Sequence, residues 1–335
     1  MSIKLSICIP TYNRGGYIGS TIESIVTQYN DMVEIIISDN CSTDNTEQVV
    51  QQYQQQFKRI YYSIWDKNVG ADRNFLKVIE LAHGEYCWFM GSDDVVQPYA
   101  LAHVLMQLDK HPGITGASVN QAIYSNDMVT EIKGVPIASG QLMADRLFKD
   151  TDACFSMLGL YFGYLPGQIV KRIIWNEVAS TENLEPYYNA FVHVYIVGEM
   201  LKKHPNWLYI HKKCVGYRSG NDSFLQEGGL YNRQVIAHAN FEKIVNDLFG
   251  KKSFVYKKVL FMALSGYMRS DLISFKNKGI SYLNQLKLLK LYTNIYWHFT
   301  YYWINIIPLF FIPNKLLKII KICYIRINGN NNGNR

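Results

Sequence analysis

Gly91-Ser92-Asp93-Asp94 follows directly on the apolar run Tyr86-Cys87-Trp88-Phe89-Met90. Two adjacent carboxylates at the end of a buried strand are costly to desolvate unless something offsets their charge. A hard divalent cation, Mg²⁺ or Mn²⁺, bridging them to a phosphate would do so, because such ions take oxygen ligands. The end of a strand is also where open α/β sheets bind ligands. The same four residues are ordinary turn chemistry too, so the other strand ends decide how to read them. Pro10-Thr11-Tyr12-Asn13-Arg14 leaves the first apolar run, with Pro10 fixing the loop and Arg14 able to reach a phosphate. Ser38-Asp39-Asn40-Cys41-Ser42-Thr43-Asp44 leaves the second. There Asp39 is placed to accept a hydrogen bond from a base N–H, and Asp44 to cap the next helix. Asn68-Val69-Gly70-Ala71-Asp72-Arg73-Asn74 leaves the third. Gly70 permits close backbone approach there, and Arg73 sits in a first helical turn that could face a diphosphate.

These loops need a scaffold that brings them to one edge. Strand patterns cover 3–9, 33–38, 59–64 and 86–89, rich in β-branched and aromatic residues. Helix patterns alternate with them over 16–28, where Ile18, Ile22 and Ile25 share a face, and over 44–56, 70–82 and 99–110. Strand–helix alternation predicts an α/β fold with a mostly parallel, Rossmann-like central sheet and flanking helices. Beyond residue 150 the pattern is mixed and aromatic. A helix is expected near 191–203 and a strand over 207–210.

At 335 residues, 48% hydrophobic and 18% charged, the composition is that of a globular protein. The expected division is a nucleotide-binding half over 1–125 and a second, mixed half over 126–245. A basic helical region follows over 246–327, then a disordered tail over 328–335. The six cysteines are scattered without Cys-x-x-Cys spacing, which argues against zinc or a disulfide framework and fits a reducing cytoplasm. No secretory signal pattern opens the sequence. Residues 249–335 hold 14 Lys and Arg and one acid, whereas 1–248 hold 20 basic and 26 acidic residues. An anionic surface is the expected partner of that basic third. The uncharged, aromatic stretch 295–313 and the spaced lysines Lys315, Lys318 and Lys321 favour docking on a membrane surface over spanning it or packing in a core. The basic residues alternate with apolar runs, which disfavours nucleic acid. Without Gly-x-Gly-x-x-Gly or Walker A, dehydrogenase and P-loop readings fall away.

Taken together, the four loops resemble those of family 2 glycosyltransferases of the GT-A fold. The likeness is strong over 3–125 and weak over 155–225. It implies a nucleotide-sugar donor, with Pro10, Tyr12, Arg14, Asn68, Gly70, Arg73 and Ser92 lining the donor site. It also implies that Asp39 binds the base, Asp93 lies near the ribose, and Asp94 ligates Mn²⁺ or Mg²⁺. Many members carry Asp where this chain has Gly91, which leaves the metal fewer protein oxygens. Tyr217-Arg218-Ser219-Gly220-Asn221-Asp222-Ser223 resembles the loop that closes over the diphosphate, with Arg218, Asn221 and Asp222 as donor contacts. The stretch 187–195 lacks the family's acidic pair, so His193 is the candidate base, with Glu199 and Glu185 as alternatives. Asn74-Phe75-Leu76, Gly84-Glu85-Tyr86-Cys87-Trp88 and Asn221-Asp222-Ser223-Phe224 are similar to O-antigen glycosyltransferases of the abequosyltransferase type. That branch implies a CDP-3,6-dideoxyhexose donor and an undecaprenyl-diphosphate-linked acceptor at the cytoplasmic face of the inner membrane. A UDP-hexose or UDP-N-acetylhexosamine enzyme and a non-catalytic nucleotide-sugar-binding scaffold are the rival readings.

Overall fold

The computed structural model describes residues 2–28, 30–132 and 142–313. The chain starts with three βα repeats and a fourth strand: β1 (Leu5–Thr11), α1 (Gly15–Val26), β2 (Val33–Asp39), α2 (Thr46–Gln54), β3 (Ile60–Ile64), α3 (Ala71–Glu80) and β4 (Tyr86–Phe89), then β5 (Val95–Val96) and α4 (Ala100–Lys110). β1 and β2 are buried on both faces, as near-continuous apolar runs in a parallel sheet should be. Ile18, Ile22 and Ile25 form the apolar stripe that α1 lays on that sheet. The order β3-β2-β1-β4 is parallel throughout. Its register pairs Thr11 with Asp39 and Asp39 with Ile64, so the loops after β1, β2 and β3 leave from one edge.

The second half adds β6 (Gly116–Tyr124), β7 (Arg146–Phe148), α5 (Thr151–Phe162), β8 (Gln168–Lys171), α6 (Arg172–Thr181), α7 (Val192–Lys203) and β9 (Trp207–Arg218). Here β8 runs antiparallel between β4 and β6, and β9 lies parallel to β6. The complete sheet is therefore mixed, parallel in its first four strands. β9 is much longer than the expected 207–210. The polar run His211-Lys212-Lys213 looks like a turn in sequence but is a bulge: Val119 pairs with Ile210 and Asn120 with Lys213. Past the bulge, Cys214 and Val215 are buried again, and the strand ends at Arg218.

The chain divides into two units. The first takes the chain up to Ser223 together with Ile244–Gly250, and holds the sheet. The second takes Phe224–Lys243 and the chain from Lys251. Its described part is helical, with α8 (Ser223–Gln234), a π-helical turn (Val235–Asn240), α9 (Phe241–Phe249, whose later residues belong to the first unit), α10 (Phe254–Gly266), α11 (Met268–Asn277) and α12 (Tyr282–Tyr296). A second π-helical turn (Tyr302–Ile306) and α13 (Ile307–Phe311) follow. Its core is aromatic and hydrogen-bonded: His238 Nδ1 meets the Tyr296 hydroxyl at 2.8 Å and Tyr292 donates to Gln234 at 2.7 Å. Lys276 is buried with its ammonium on the carbonyls of Leu309, Phe310 and Ile312, which end α13. Among the described residues no helix is long and apolar enough to cross a membrane. The stretch 295–313 divides by side chain instead: Tyr296, Tyr302, Ile306 and Leu309 pack inward, and Trp297, Trp303, Ile304 and Phe311 face out. The lysines at 315, 318 and 321 and the tail 328–335 lie outside the described residues.

Candidate active site

β5 begins immediately after Asp94 and pairs with Val215 and Gly216 of β9. Two strands far apart in sequence thereby deliver Asp94 and Arg218 to one place. The Arg218 backbone N–H donates to Asp94 Oδ1 at 2.9 Å, and its Nε donates to the Asp93 carbonyl at 2.8 Å. Another guanidinium N–H donates to the carbonyl of Asn126. The Asn221 amide donates to Asp93 Oδ2 at 2.7 Å. The guanidinium of Arg218 lies 5.1 Å from the centre of the Tyr17 ring, and that of Arg14 lies 5.9 Å from the same ring. Two cations thus gather beside the carboxylate pair.

Asp94 is 2% exposed. Burial pushes its carboxyl well above the ordinary range and the neighbouring Asp93 charge pushes the same way, against the Arg218 N–H and the Tyr164 hydroxyl. Burial also raises Asp93, opposed by Arg14, Asn221 and Arg218. Gly91 closes the turn from below. A Cβ there would sit 2.7 Å from Asp94 Oδ2 and 3.3 Å from Asp93 Oδ1. The glycine is what lets both carboxylates fold back over the turn.

A second polar layer joins the other loops. Asp39 is fully buried, with Oδ1 accepting from the Ser42 N–H at 2.8 Å and Oδ2 from the Tyr62 hydroxyl at 2.6 Å. Asn68 accepts from the Asn40 amide and the Gly70 N–H, and Asn40 accepts from the Val69 N–H. Gly70 has φ 87°, the left-handed region that glycine enters freely. Asn13, also at positive φ, accepts from the Thr43 N–H. Asp44 takes N–H groups from both Gly15 and Thr46, so it ties two helix starts together from one residue before Asn45, the N-cap of α2. Asn74 spans two strands by donating to the carbonyls of Ser38 and Thr11. Nothing in the spacing around Asn74 in the sequence signals this role. Pro10 belongs to β1, not to the loop, and pairs with Ser38; it and Tyr12 on the loop are partly exposed, and Ser92 is buried in the fourth loop.

The chain is similar to proteins of known activity. Residues 6–161 match the family model described as Glycosyl transferase family 2. Over 263 residues the chain is 34% identical to the abequosyltransferase RfbV of Salmonella typhimurium, a match spanning 74% of this chain and 76% of that protein. The chain belongs to glycosyltransferase family 2. Poly(ribitol-phosphate) beta-N-acetylglucosaminyltransferase TarS of Staphylococcus aureus is 26% identical over 151 residues, 44% of this glycosyltransferase and 24% of TarS. The crystal structure of TarS 1–349 superposes with a TM-score of 0.62 at 16% identity, covering 88% of this chain and 80% of that one. The same fragment in complex with UDP-GlcNAc also superposes with a TM-score of 0.62, at 14% identity. These structures share the GT-A fold with this glycosyltransferase.

Among the described residues no three His, Cys, Asp or Glu side chains gather as a metal set. Asp93 and Asp94 are the acidic pair, each with an oxygen already hydrogen-bonded. They fit an ion that takes its remaining ligands from water and phosphate, as Mg²⁺ does. The Thr11 hydroxyl, buried at the end of β1 without a partner, adds an unused polar atom at the same sheet edge.

The acceptor-side candidates separate. Asp72 in the first turn of α3 accepts from the N–H groups of Ala190 and Val192, capping α7 from another helix. That clamp lies beside Arg73, whose guanidinium sits 4.7 Å from the Tyr188 ring centre, a place the sequence had offered to a diphosphate contact. His193 is 2% exposed, edge-on to Phe75 at 5.7 Å. Burial drives its pKa down to about 3, with the carbonyls of Phe162 and Gly163 opposing, although neither ring nitrogen reaches a partner in hydrogen-bonding geometry. A ring so enclosed has no access to an acceptor hydroxyl here. Glu199 pairs with Lys202 at 2.8 Å, and Glu185 is exposed on the turn before α7. Asp222 follows Asn221 in the last loop, partly exposed.

Proposed function

We propose that this glycosyltransferase moves a 3,6-dideoxyhexose from a CDP donor to a lipid-linked oligosaccharide during O-antigen or related surface-polysaccharide assembly. The observation that carries this reading is the 34% identity to an abequosyltransferase over three quarters of both chains. In this reading Arg14 and Arg218 set their charge against the diphosphate, and Asn221 holds Asp93 in place. Asp39 lies under the base, after Tyr62 yields its hydrogen bond. Asp93 and Asp94 would hold Mn²⁺ or Mg²⁺, which when bound supplies positive charge to the departing diphosphate. Glu185 is the accessible carboxylate of the three acceptor-side candidates and takes the acceptor proton. The acceptor, an undecaprenyl-diphosphate-linked glycan, would be met at the anionic cytoplasmic face of the inner membrane.

Thermal-shift measurements with CDP, UDP, GDP and dTDP, each with and without Mn²⁺, test the donor. A metal-dependent shift with CDP alone supports the reading. A shift with UDP alone moves the donor to a UDP-hexose or UDP-N-acetylhexosamine. No shift with any nucleotide, in folded protein, overturns the donor site.

A further inference from the structure

The second unit carries a cluster of exposed aromatic rings that its own core leaves unused. Trp297 is 62% and Trp303 50% exposed, and the two are joined by a hydrogen bond from Trp303 Nε1 to the Trp297 carbonyl at 2.7 Å. Phe261 of α10 turns its ring to Tyr301 at 5.7 Å and to Phe299 at 6.0 Å. His298 lies between them, 5.9 Å from Trp297 and 4.2 Å from Phe299, and stacks on Tyr256 of α10 at 6.4 Å. α10 therefore brings Lys257 and Lys258, one turn before Phe261, to the margin of the aromatic cluster. Burial is the main force pressing the His298 pKa down; the charges of Lys251 and Lys257 add to it and Glu242, which also pairs with Lys251, opposes it. Acid is scarce nearby in sequence: residues 249–313 hold nine Lys and Arg and one acid, Asp271.

Burying such rings inside a protein partner would leave the surrounding lysines to be desolvated. A lipid interface accepts both. Trp and Tyr favour the headgroup level of a bilayer, where one side of the ring is apolar and the other wet. Lysines at the rim reach anionic headgroups while their stems stay along apolar surface. We infer that Phe261, Trp297, Phe299, Tyr301 and Trp303, with Lys257 and Lys258 at the rim, dock this protein on an anionic bilayer surface. The inference deepens the membrane-side part of the function proposed above and rests on it, but it needs neither donor nor acceptor to be tested.

The test is sedimentation of the full chain with phosphatidylcholine vesicles, with and without phosphatidylglycerol, free of any glycan acceptor or nucleotide. Brominated acyl chains report tryptophan insertion by quenching. The expected result is binding to anionic vesicles that weakens with salt, with fluorescence quenched on binding. The exposed double variant Trp297→Ser/Trp303→Ser, shown folded by circular dichroism, should bind at least about tenfold more weakly and lose the quenching. Lys257→Glu/Lys258→Glu should lose about fivefold or more per charge. Wild-type binding unchanged in both variants overturns the patch. Failure to sediment with either kind of vesicle overturns it too, while leaving the transferase reading intact. Self-association of the wild type without vesicles, abolished in the tryptophan variant, assigns the rings to a second copy of this chain and refutes the lipid reading.

Discussion

Replacing Gly91 by Asp restores the acidic string that many relatives carry, and the structure predicts that it harms this protein. A Cβ at that position meets Asp94 Oδ2 at 2.7 Å and Asp94 Cγ at 3.2 Å, distances at which something must move. Asp94 has little freedom, since Oδ1 is held by the Arg218 N–H and Oδ2 faces the Tyr164 hydroxyl at 3.4 Å. Overpacking of this kind costs about 1–3 kcal/mol. Pulling the carboxylate off the buried Arg218 N–H adds about 1.5 kcal/mol. A third negative charge beside two carboxylates already raised by burial works in the same direction. For a domain of this size, about 2.5–4.5 kcal/mol corresponds to a fall in Tm of roughly 5–18 °C. Gly91→Ala isolates the steric part, because it adds the Cβ and no charge. Differential scanning calorimetry of the apo protein, with sugar transfer measured beside it, reads both effects. Both variants should melt lower and Gly91→Asp should transfer more slowly at every Mn²⁺ concentration. If Gly91→Asp melts like wild type, or gains activity at low Mn²⁺, the site was merely short of a ligand and the steric reasoning is refuted.

Asp94→Asn should separate stability from function. The native pKa of Asp94 lies above its ordinary 3.8, so between those values the native state holds the extra proton and stability falls as pH rises. The variant should be more stable than wild type near neutral pH, show a flatter stability–pH curve on urea titration, and lose metal-dependent nucleotide binding. Arg218→Lys keeps the charge but cannot keep both the Asp93 carbonyl and the Asn126 carbonyl in the same fork. Its transfer kcat/KM should fall about 10–100-fold, with vesicle binding unchanged. His193→Phe tests the enclosed imidazole. Loss of two unpartnered buried nitrogens should leave stability equal or higher by about 1 kcal/mol, and transfer should persist. A fall of 10²–10⁴-fold, the size of general-base catalysis, would return His193 to the mechanism.

What the sequence showed well were the parts whose physics is local. The strand and helix alternation through α4 follows from period and turn chemistry, and each loop that carries a carboxylate or arginine lies next to its own strand. Arg218 was legible as a charged residue in a loop, but not as the residue whose N–H holds Asp94, because that contact depends on a strand pairing 124 residues away in sequence. The bulge at His211-Lys212 hid the strand that makes it. The burial of His193 was hidden for the complementary reason. An imidazole seven residues into an acid-poor segment looks like a base, yet the fate of α7 was decided by Asp72, two residues into α3, whose carboxylate reaches across to the Ala190 and Val192 N–H groups. In sequence that aspartate is one more acid in a first helical turn, favourable to its own helix dipole. Only the packing of α3 on α7 shows that it serves the other helix. A charge in a helix's first turn therefore carries two readings, its own helix or a neighbour's, and the choice between them lies in tertiary contact, beyond the reach of spacing.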